Sequence, residues 1–322
     1  MSKETYTVVS TMKNEAPYIL DWVAHYKTLG FDNILVCTND CTDTTVDILV
    51  RLQELGFVTQ HNTIVRKAGI HRSALRQASR RYDVVMDAKW VFVCDVDEYL
   101  NVHMGDGSVH ALVEGSGPDA DVISVPWRIF GPAGVEHFED IPVAQQFAKG
   151  ELEWDETARP NTGKFVKSLY TNQHKFQRMG LHAPVSLDEH VADTKRVLPG
   201  GAEYIVNGTR TDNPPLFTHA QVNHYALRSM ESFLIKRARG RANHSHHVLG
   251  QEYWEKFNLN DETDKTIERY QDKSAALLAD LKSDPQLAEL HARGVEWHKR
   301  KAASIRMDPE MDELVAAISA DL

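Results

Sequence analysis

The strongest constraint on the fold is a continuous apolar run over residues 90–94 (WVFVC) that stops abruptly at Asp95, Val96, Asp97 and Glu98. A short unbroken apolar run is typical of a strand buried on both faces, as in a parallel sheet covered by helices. The carboxyl ends of the strands in such open sheets border the ligand crevice. The sequence therefore predicts an α/β fold in which Asp95 and Asp97 lie at a binding site.

Apolar runs alternate with amphipathic stretches through the first 100 residues. The pattern predicts strands over 7–12 and 33–38, helices over 18–26 and 44–55, a short strand at Val58 and a helix over 73–81. Residues 101–220 predict antiparallel strands and long loops, and residues 228–241 indicate a basic helix. Residues 261–322 indicate two or three helices, interrupted near Pro285 and Pro309.

Charge and composition exclude several classes of protein. A net charge of −10 would repel a phosphate polymer, so we expect no nucleic-acid partner. No apolar run approaches the roughly 20 residues of a spanning helix, so we expect no transmembrane segment. The first residues lack a secretory pattern, and three cysteines without zinc-site spacing suit free thiols. We expect a cytoplasmic protein, with peripheral attachment at the inner face of a membrane as the alternative.

Asp95 and Asp97 stand two residues apart on an extended backbone, so both can reach one hard cation directly or through water. Mg²⁺ or Mn²⁺ bound in this way completes its shell with water and substrate phosphates. The alternative is a solvated turn, because an Asp-x-Asp pattern also occurs by chance. The position after a buried strand favours the metal and, with it, a nucleoside-diphosphate partner.

Several further segments, taken in order, resemble bacterial family 2-like glycosyltransferases related to glycosyltransferase family 92, over about residues 6–260. They are KNEAP at 13–17, DWVAHY at 21–26, LGF at 29–31, NDCTD at 39–43, the acidic strand end itself, WRIFG at 127–131, KFVKS at 164–168, VNHYALRS at 222–229 and KRARG at 236–240. The resemblance implies a GT-A fold with a mixed sheet. It also implies transfer from a nucleotide sugar, expected to be a UDP-sugar, to a hydroxyl acceptor with inversion, dependent on Mn²⁺ or Mg²⁺. The acceptor class stays open between a glycan, a lipid-linked sugar and another hydroxyl compound.

With that resemblance the chain divides at residue 250. Residues 1–250 form the glycosyltransferase domain, with a nucleotide-binding half over 1–100 and an acceptor half over 101–250. Residues 251–322 form a helical extension, which we expect to pack on the sheet domain, with dimerisation or membrane contact as alternatives.

The resemblance also implies roles for individual residues. Donor contacts fall to Asn14, Glu15 and Asp43, for which helix capping is the local alternative. Further donor contacts are expected from Arg76, Lys164 and Lys236, for which a solvated surface is the alternative. Asp97 is the expected direct metal ligand, while Asp95 reaches the ribose or the metal through water.

A distant histidine is expected as a further metal ligand. The VNHYALRS segment favours His224, and His219 and His182 stay open as alternatives. Inversion needs a base that takes the acceptor proton. Asp188, Glu189 and Asp155 are the candidates, and the sequence does not choose among them.

Two other functions remain open at this point. A nucleotidyltransferase would use the same acids, although the loop over 13–17 lacks the glycines expected for that class. A sugar-binding module that has lost turnover is the second.

Overall fold

The apolar runs of the first 100 residues become the parallel strands of one large sheet. The computed structural model describes residues 4–152, 164–171, 175–204, 206–207, 210–211, 217–239 and 249–322. The strands are β1 (Tyr6–Met12), β2 (Asn33–Thr38), β3 (Thr59–Asn62), β4 (Trp90–Val93), β5 (Glu98–Val102), β6 (Val122–Ile129), β7 (Lys149–Gly150), β8 (Val166–Thr171), β9 (Phe176–Arg178), β10 (Val185–Ser186), β11 (Arg196–Val197), β12 (Val206–Asn207), β13 (Arg210–Thr211), β14 (Ala220–His224) and β15 (Glu262–Thr263).

Helices cover the sheet and fill the end of the chain. The α-helices are α1 (Ile19–Thr28), α2 (Thr45–Glu54), α3 (Ile70–Arg81), α4 (Asp83–Met86), α5 (Val109–Ser116), α6 (Val143–Gln146), α7 (Met230–Ala238), α8 (Gln251–Phe257), α9 (Gln271–Ser283), α10 (Pro285–Arg306) and α11 (Asp312–Ser319). Short 3₁₀ helices lie at Ala16–Tyr18, Asp188–His190, Thr266–Tyr270 and Pro309–Met311.

The direction of the strands decides where a site can form. In the described part of the chain the main sheet has nine strands, eight of them in the order β3-β2-β1-β4-β8-β6-β14-β5, with β11 added beside β6. β1 pairs in parallel with β2 and β4, whereas β8 is antiparallel to both β4 and β6. β14 is parallel to β6. The strands β1, β4, β6 and β14 therefore all point the same way, and their carboxyl ends share one edge of the sheet.

The predicted fold class, α/β with a mixed sheet and C-terminal helices, is confirmed. The predicted strand over 33–38 has the same bounds in the structure, and Pro285 and Pro309 each begin a new helical segment. β4 is buried along its whole length, as its apolar run predicts.

The helical tail packs directly on the first 100 residues. α9 contacts α1, and α10 contacts α2, α7 and the 3₁₀ helix Ala16–Tyr18. Gly294 of α10 lies so close to the loops below it that a Cβ there would stand 2.5 Å from Ala16 Cβ. Thr44 donates a hydrogen bond to the Leu290 carbonyl at 2.9 Å. The tail thus buttresses the two loops that follow β1 and β2.

None of the described helices combines the length and the apolar character needed to cross a bilayer.

Candidate active site

A cleft of about 490 Å³ opens at the shared carboxyl edge of β1, β4, β6 and β14. This volume is within the range of small-molecule sites, roughly 300–1,000 Å³. Its walls include the ionisable side chains of Lys13, Glu15, His71, Asp95, Asp97, His182, His224, Lys236, Arg239 and Lys256. Its aromatic walls come from Trp127, Phe165, Tyr253 and Phe257. The cleft therefore offers carboxylates, cations and flat apolar faces together.

A tight turn after β4 presents the acidic segment to this cleft. The Glu98 amide donates to the Asp95 carbonyl at 3.1 Å, and the Asp95 amide donates to Glu98 Oε2 at 2.8 Å. Asp95 and Asp97 both line the cleft, whereas Glu98 is fully buried. The predicted placement of the two aspartates at a cleft is what the structure shows.

Glu98 binds a buried cation. Lys167 on β8 is inaccessible to solvent, and its Nζ lies 3.0 Å from Glu98 Oε2 and 3.1 Å from Asp95 Oδ2. Burial raises the pKa of Glu98 to about 8. Burial lowers the pKa of Lys167, but Asp95 and Glu98 outweigh it and keep that pKa above its ordinary value. Lys167 thus fixes Asp95 from behind and is itself turned away from solvent.

Asp97 meets a second ammonium and an imidazole. Lys236 on α7 lies 2.7 Å from Asp97 Oδ2 and donates also to the Ala226 carbonyl at 2.7 Å. His224, at the end of β14, has its Nε2 3.9 Å from the same Oδ2. Burial opposes ionisation of Asp97, but Lys236, His224 and Arg228 hold its pKa below the ordinary value. Asp97 is therefore an ionised carboxylate despite being 7% exposed.

The strand register explains why His224 reaches Asp97. Antiparallel pairing places His224 opposite Glu98, and the Tyr225 amide donates to the Asp97 carbonyl at 2.8 Å. The ring of Trp127 packs against His224 with centroids 4.2 Å apart. Burial lowers the pKa of His224 to about 3, so its imidazole is neutral at physiological pH.

Asp97 and His224 offer a carboxylate oxygen and a neutral imidazole nitrogen, the forms that a metal requires. His224 Nδ1 is buried without a hydrogen-bond partner. Throughout the described ranges no set of three or more His, Cys, Asp and Glu side chains is arranged to hold a metal. The pair therefore fits a cation that takes its remaining ligands from water and a diphosphate, and does not fit a closed protein cage. Such a cation would compete with Lys236 for Asp97 Oδ2.

Glu15 lies at the cleft between two arginines. Arg228 donates to its Oε2 at 3.0 Å, and Arg239 pairs with its Oε1. Arg239 also donates to the Lys13 carbonyl at 2.6 Å. Arg228 stacks on Tyr18, with its guanidinium carbon 3.6 Å from the ring centroid. Glu15 therefore holds Arg239 at the cleft wall and joins α7 to the loop after β1.

Asn14 and Asp43 bind backbone amides of the loops after β2 and β1, and neither caps a helix through its side chain. Asn14 Oδ1 accepts from the Thr42 amide at 2.7 Å. Asp43 accepts from the Ala16 amide at 3.1 Å and from the Thr45 amide at 2.9 Å, and it does not line the cleft. The two side chains tie the loop after β1 to the loop after β2.

The structure separates the other predicted donor residues. Arg76 is exposed on α3 and does not line the cleft, because only the first turn of that helix reaches it. Lys164 is half-buried beside the cleft residue Phe165 but is not part of the wall. Only Glu15, Asp95 and Lys236 of the predicted donor contacts face the cleft.

Of the alternative histidines, His182 lines the cleft and His219 does not. His182 Nδ1 lies 2.9 Å from the Val166 carbonyl, and burial lowers its pKa to about 4. His219 is exposed beside Gly200, away from the acidic segment.

Asp188 and Glu189 do not reach the cleft, which disfavours both as bases. They are exposed, and Asp188 lines a separate open cavity with residues 184–204. β11 borders that cavity and pairs with β6 at Val122 and Ile123, the amino end of β6. The cavity thus lies at the opposite edge of the sheet from Asp97. The sequence does not predict this position, because the two acids follow a hairpin whose direction it leaves open. Asp155 lies outside the described residues.

Several cleft residues were not identified from sequence. His71, Tyr253, Lys256 and Phe257 come from helices remote in the chain from the acidic segment and carry no local motif. Arg228 lies behind the cleft wall, inside the VNHYALRS segment, and the sequence does not predict its pairing with Glu15.

Comparison with known proteins gives one strong match. The profile of glycosyltransferase family 92 matches residues 4–277. Among solved structures, S. aureus TarS 1–349 in complex with UDP-GlcNAc shares 15% identity over 38% of this chain and 34% of that chain, with a TM-score of 0.28. S. aureus TarS 1–349 shares 12% identity over 94% and 91%, with a TM-score of 0.35. HddC from Yersinia pseudotuberculosis shares 11% identity over 61% and 88%, with a TM-score of 0.32.

The chain spans about a third of the first of these structures. No curated protein matches the sequence significantly. All three TM-scores are low, so among these comparisons the family match alone supports an assignment.

Proposed function

Because the chain belongs to glycosyltransferase family 92, we propose that its cleft transfers a sugar from a nucleoside-diphosphate donor, a UDP-sugar, to a hydroxyl acceptor with inversion at the sugar carbon. The observation that carries this proposal is the convergence of Asp95, Asp97 and His224 with the cations Lys236 and Arg239 in one cleft. A diphosphate needs such cations, and a sugar is recognised by carboxylates and flat apolar faces.

Lys236 and Arg239 would bind the diphosphate of the donor. Both side chains line the cleft, one anchored by Asp97 and the other by Glu15. Positive groups fixed before reaction stabilise the charge that develops on a departing diphosphate without reorganising. Glu15 and Asp97 act here as positioning residues, because each orients a cation.

The set of charges around Asp97 also suits a divalent cation. Mn²⁺ or Mg²⁺ would be held by Asp97 and His224, with Asp95 fixed nearby by Lys167. When bound, the cation supplies further positive charge to the leaving diphosphate. Burial of His224 beneath Trp127 keeps the imidazole neutral and its ring orientation fixed.

The described carboxylates at the cleft are all engaged by cations, which leaves them poorly suited to accept a proton. Glu15 pairs with Arg228 and Arg239, Asp95 with Lys167, and Asp97 with Lys236. Of the three candidate bases, Asp155 is left untested, because it lies outside the described residues. Trp127, Phe165, Tyr253 and Phe257 offer faces on which an acceptor or donor sugar can stack.

The test is to incubate the protein with a panel of UDP-sugars and Mn²⁺ and to measure the released products. We expect UDP to form, and Asp97→Asn to lower its rate by about 10²-fold or more, as expected for lost charge stabilisation. Asp119→Asn is the matched control, because this carboxylate is exposed and its pair with Lys195 lies at the surface.

Three outcomes would contradict the proposal. Release of pyrophosphate in a parallel incubation with UTP and a sugar 1-phosphate would identify a nucleotidyltransferase, and binding of UDP-sugars without any turnover would identify a sugar-binding module. Retention of the donor sugar's anomeric configuration in the product, read by NMR, would refute inversion.

A further inference from the structure

A basic surface lies beside the cleft, and the proposed reaction does not use this surface. Residues 63–82 contain six Lys and Arg residues and no Asp or Glu, within a chain of net charge −10. The six are Arg66, Lys67, Arg72, Arg76, Arg80 and Arg81. We refer to the loop over 64–67 and the outer face of α3 as the basic surface.

The loop is fixed alongside α3. Gln77 accepts from the Ile64 amide at 3.2 Å and donates to the Ile64 carbonyl at 2.9 Å. Ser73 accepts from the Arg66 amide at 2.9 Å. Ile64 and Val65 are nevertheless 49% and 45% exposed. Two apolar side chains thus stand in solvent next to two cations, held there by the helix.

The outer face of α3 carries a row of like charges. Arg72, Arg76 and Arg80 are spaced four residues apart and exposed, while Ala74, Leu75 and Ala78 pack on the sheet. Like charges at this spacing destabilise a helix. Within the described ranges none of the three forms an ion pair with a carboxylate. The helix dipole stabilises the positive charges of Arg80 and Arg81 in the last turn of α3, but it does not stabilise those of Arg72 and Arg76.

This face adjoins the active cleft. Ile70 and His71, in the first turn of α3, line the cleft, and His71 Nδ1 lies 3.0 Å from Thr11 Oγ1. α3 is about 18 Å long at roughly 1.5 Å per residue, so the arginines lead outward from the cleft mouth.

We propose that the basic surface docks the protein on an anionic phospholipid bilayer. The row of arginines complements a negatively charged headgroup layer, and Ile64 and Val65 would enter the boundary between headgroups and acyl chains. A nucleic acid or another soluble polyanion would use the charges but leave these two apolar side chains exposed. On a bilayer the cleft would lie close to the headgroups, which suits a membrane-borne acceptor. This last point rests on the proposed function, whereas the docking itself does not.

The experiment is sedimentation of the full chain with vesicles of phosphatidylcholine alone or mixed with phosphatidylglycerol. We expect binding to the mixed vesicles only, weakened by salt. The variant R66E/R80E/R81E should bind at least about tenfold more weakly. K299E/R300E/K301E is the matched control, because it makes the same charge change at exposed positions of α10 and should bind like the wild type.

The variant Ile64→Ser with Val65→Ser keeps every charge and tests the apolar contribution. We expect it to bind mixed vesicles about tenfold more weakly than the wild type, since two apolar side chains no longer enter the bilayer. Circular dichroism and UDP binding, measured without vesicles, check that each variant is folded, and they are independent of docking.

The proposal is overturned if the wild type binds both vesicle types equally, or if both triple variants lose binding equally. It is also overturned if the serine variant binds as the wild type does. Binding to soluble polyphosphate or RNA without vesicle binding would assign the surface to a soluble polyanion. If the wild type binds the mixed vesicles but transfers no sugar, the proposed function is refuted and the docking proposal stands.

Discussion

Gly294→Ala sets helix propensity against packing at the contact between the tail and the loops below it. Alanine within a helix is more favourable than glycine by about 1 kcal/mol. The new Cβ would stand 2.5 Å from Ala16 Cβ and 2.8 Å from Thr44 Oγ1. Ala16 cannot rotate away, so α10 itself must move.

The packing cost is the larger effect. Overpacking costs about 1–3 kcal/mol, and weakening the Thr44 hydrogen bond to Leu290 adds about 1 kcal/mol. After the gain in helix propensity we expect a net loss of about 2 kcal/mol in the free energy of unfolding. UDP affinity should also fall several-fold, because Ala16 adjoins Glu15, which holds Arg239 at the cleft.

The assay is urea unfolding together with calorimetric titration of UDP. Gly115→Ala is the matched control, because it also replaces a helical glycine but its Cβ would meet only the flexible end of Met104. We expect this control to leave stability unchanged or raise it by up to about 1 kcal/mol. If Gly294→Ala were as stable as or more stable than the wild type, the reasoning about the tail contact would be refuted.

Three further predictions concern buried ionisable groups. Lys167→Met should lower the free energy of unfolding in urea by about 1.5–3 kcal/mol, because Asp95 and Glu98 lose the charged hydrogen-bond donor that they share; a loss below about 1 kcal/mol would contradict this. Asp97→Asn should abolish the rise in melting temperature that Mn²⁺ and UDP together produce, and an undiminished rise would reject Asp97 as a ligand. Burial lowers the pKa of His25 to about 4, so the folded state resists protonation and stability falls as the pH drops from 6.5 towards 4. At pH 5 this amounts to about 2 kcal/mol. His25→Gln should therefore show a shallower loss of urea midpoint between pH 7 and 5, and equal slopes would refute the assignment.

Local sequence patterns predicted the elements that local chemistry determines. The apolar run of β4 acts through its own burial. Pro285 and Pro309 act through the backbone geometry of the helical turns that they begin. The cleft position of Asp95 and Asp97 followed from the same reasoning, because a buried strand must deliver its next residues to an edge of the sheet.

Contacts between distant segments were harder to predict. Lys167 is one of many lysines in the sequence, and only the pairing of β8 with β4 places it behind Asp95. Asp188 and Glu189 were chosen for their acidity, but the path of the chain through β9 and β10 takes them to the opposite edge. Asn14 and Asp43 each bind a backbone amide of the other's loop, and the sequence alone does not show that these two loops lie side by side.

The position of β14 has a consequence for how this protein is made. β5 hydrogen-bonds within its sheet to β14 alone among the described strands, although 117 residues separate the end of the one, Val102, from the start of the other, Ala220. While the ribosome is still adding those residues, β5 has no strand to pair with, and Asp97 has not yet met His224. Pairing across so long an interval slows folding, so the emerging chain must carry an incomplete sheet until β14 has been synthesised.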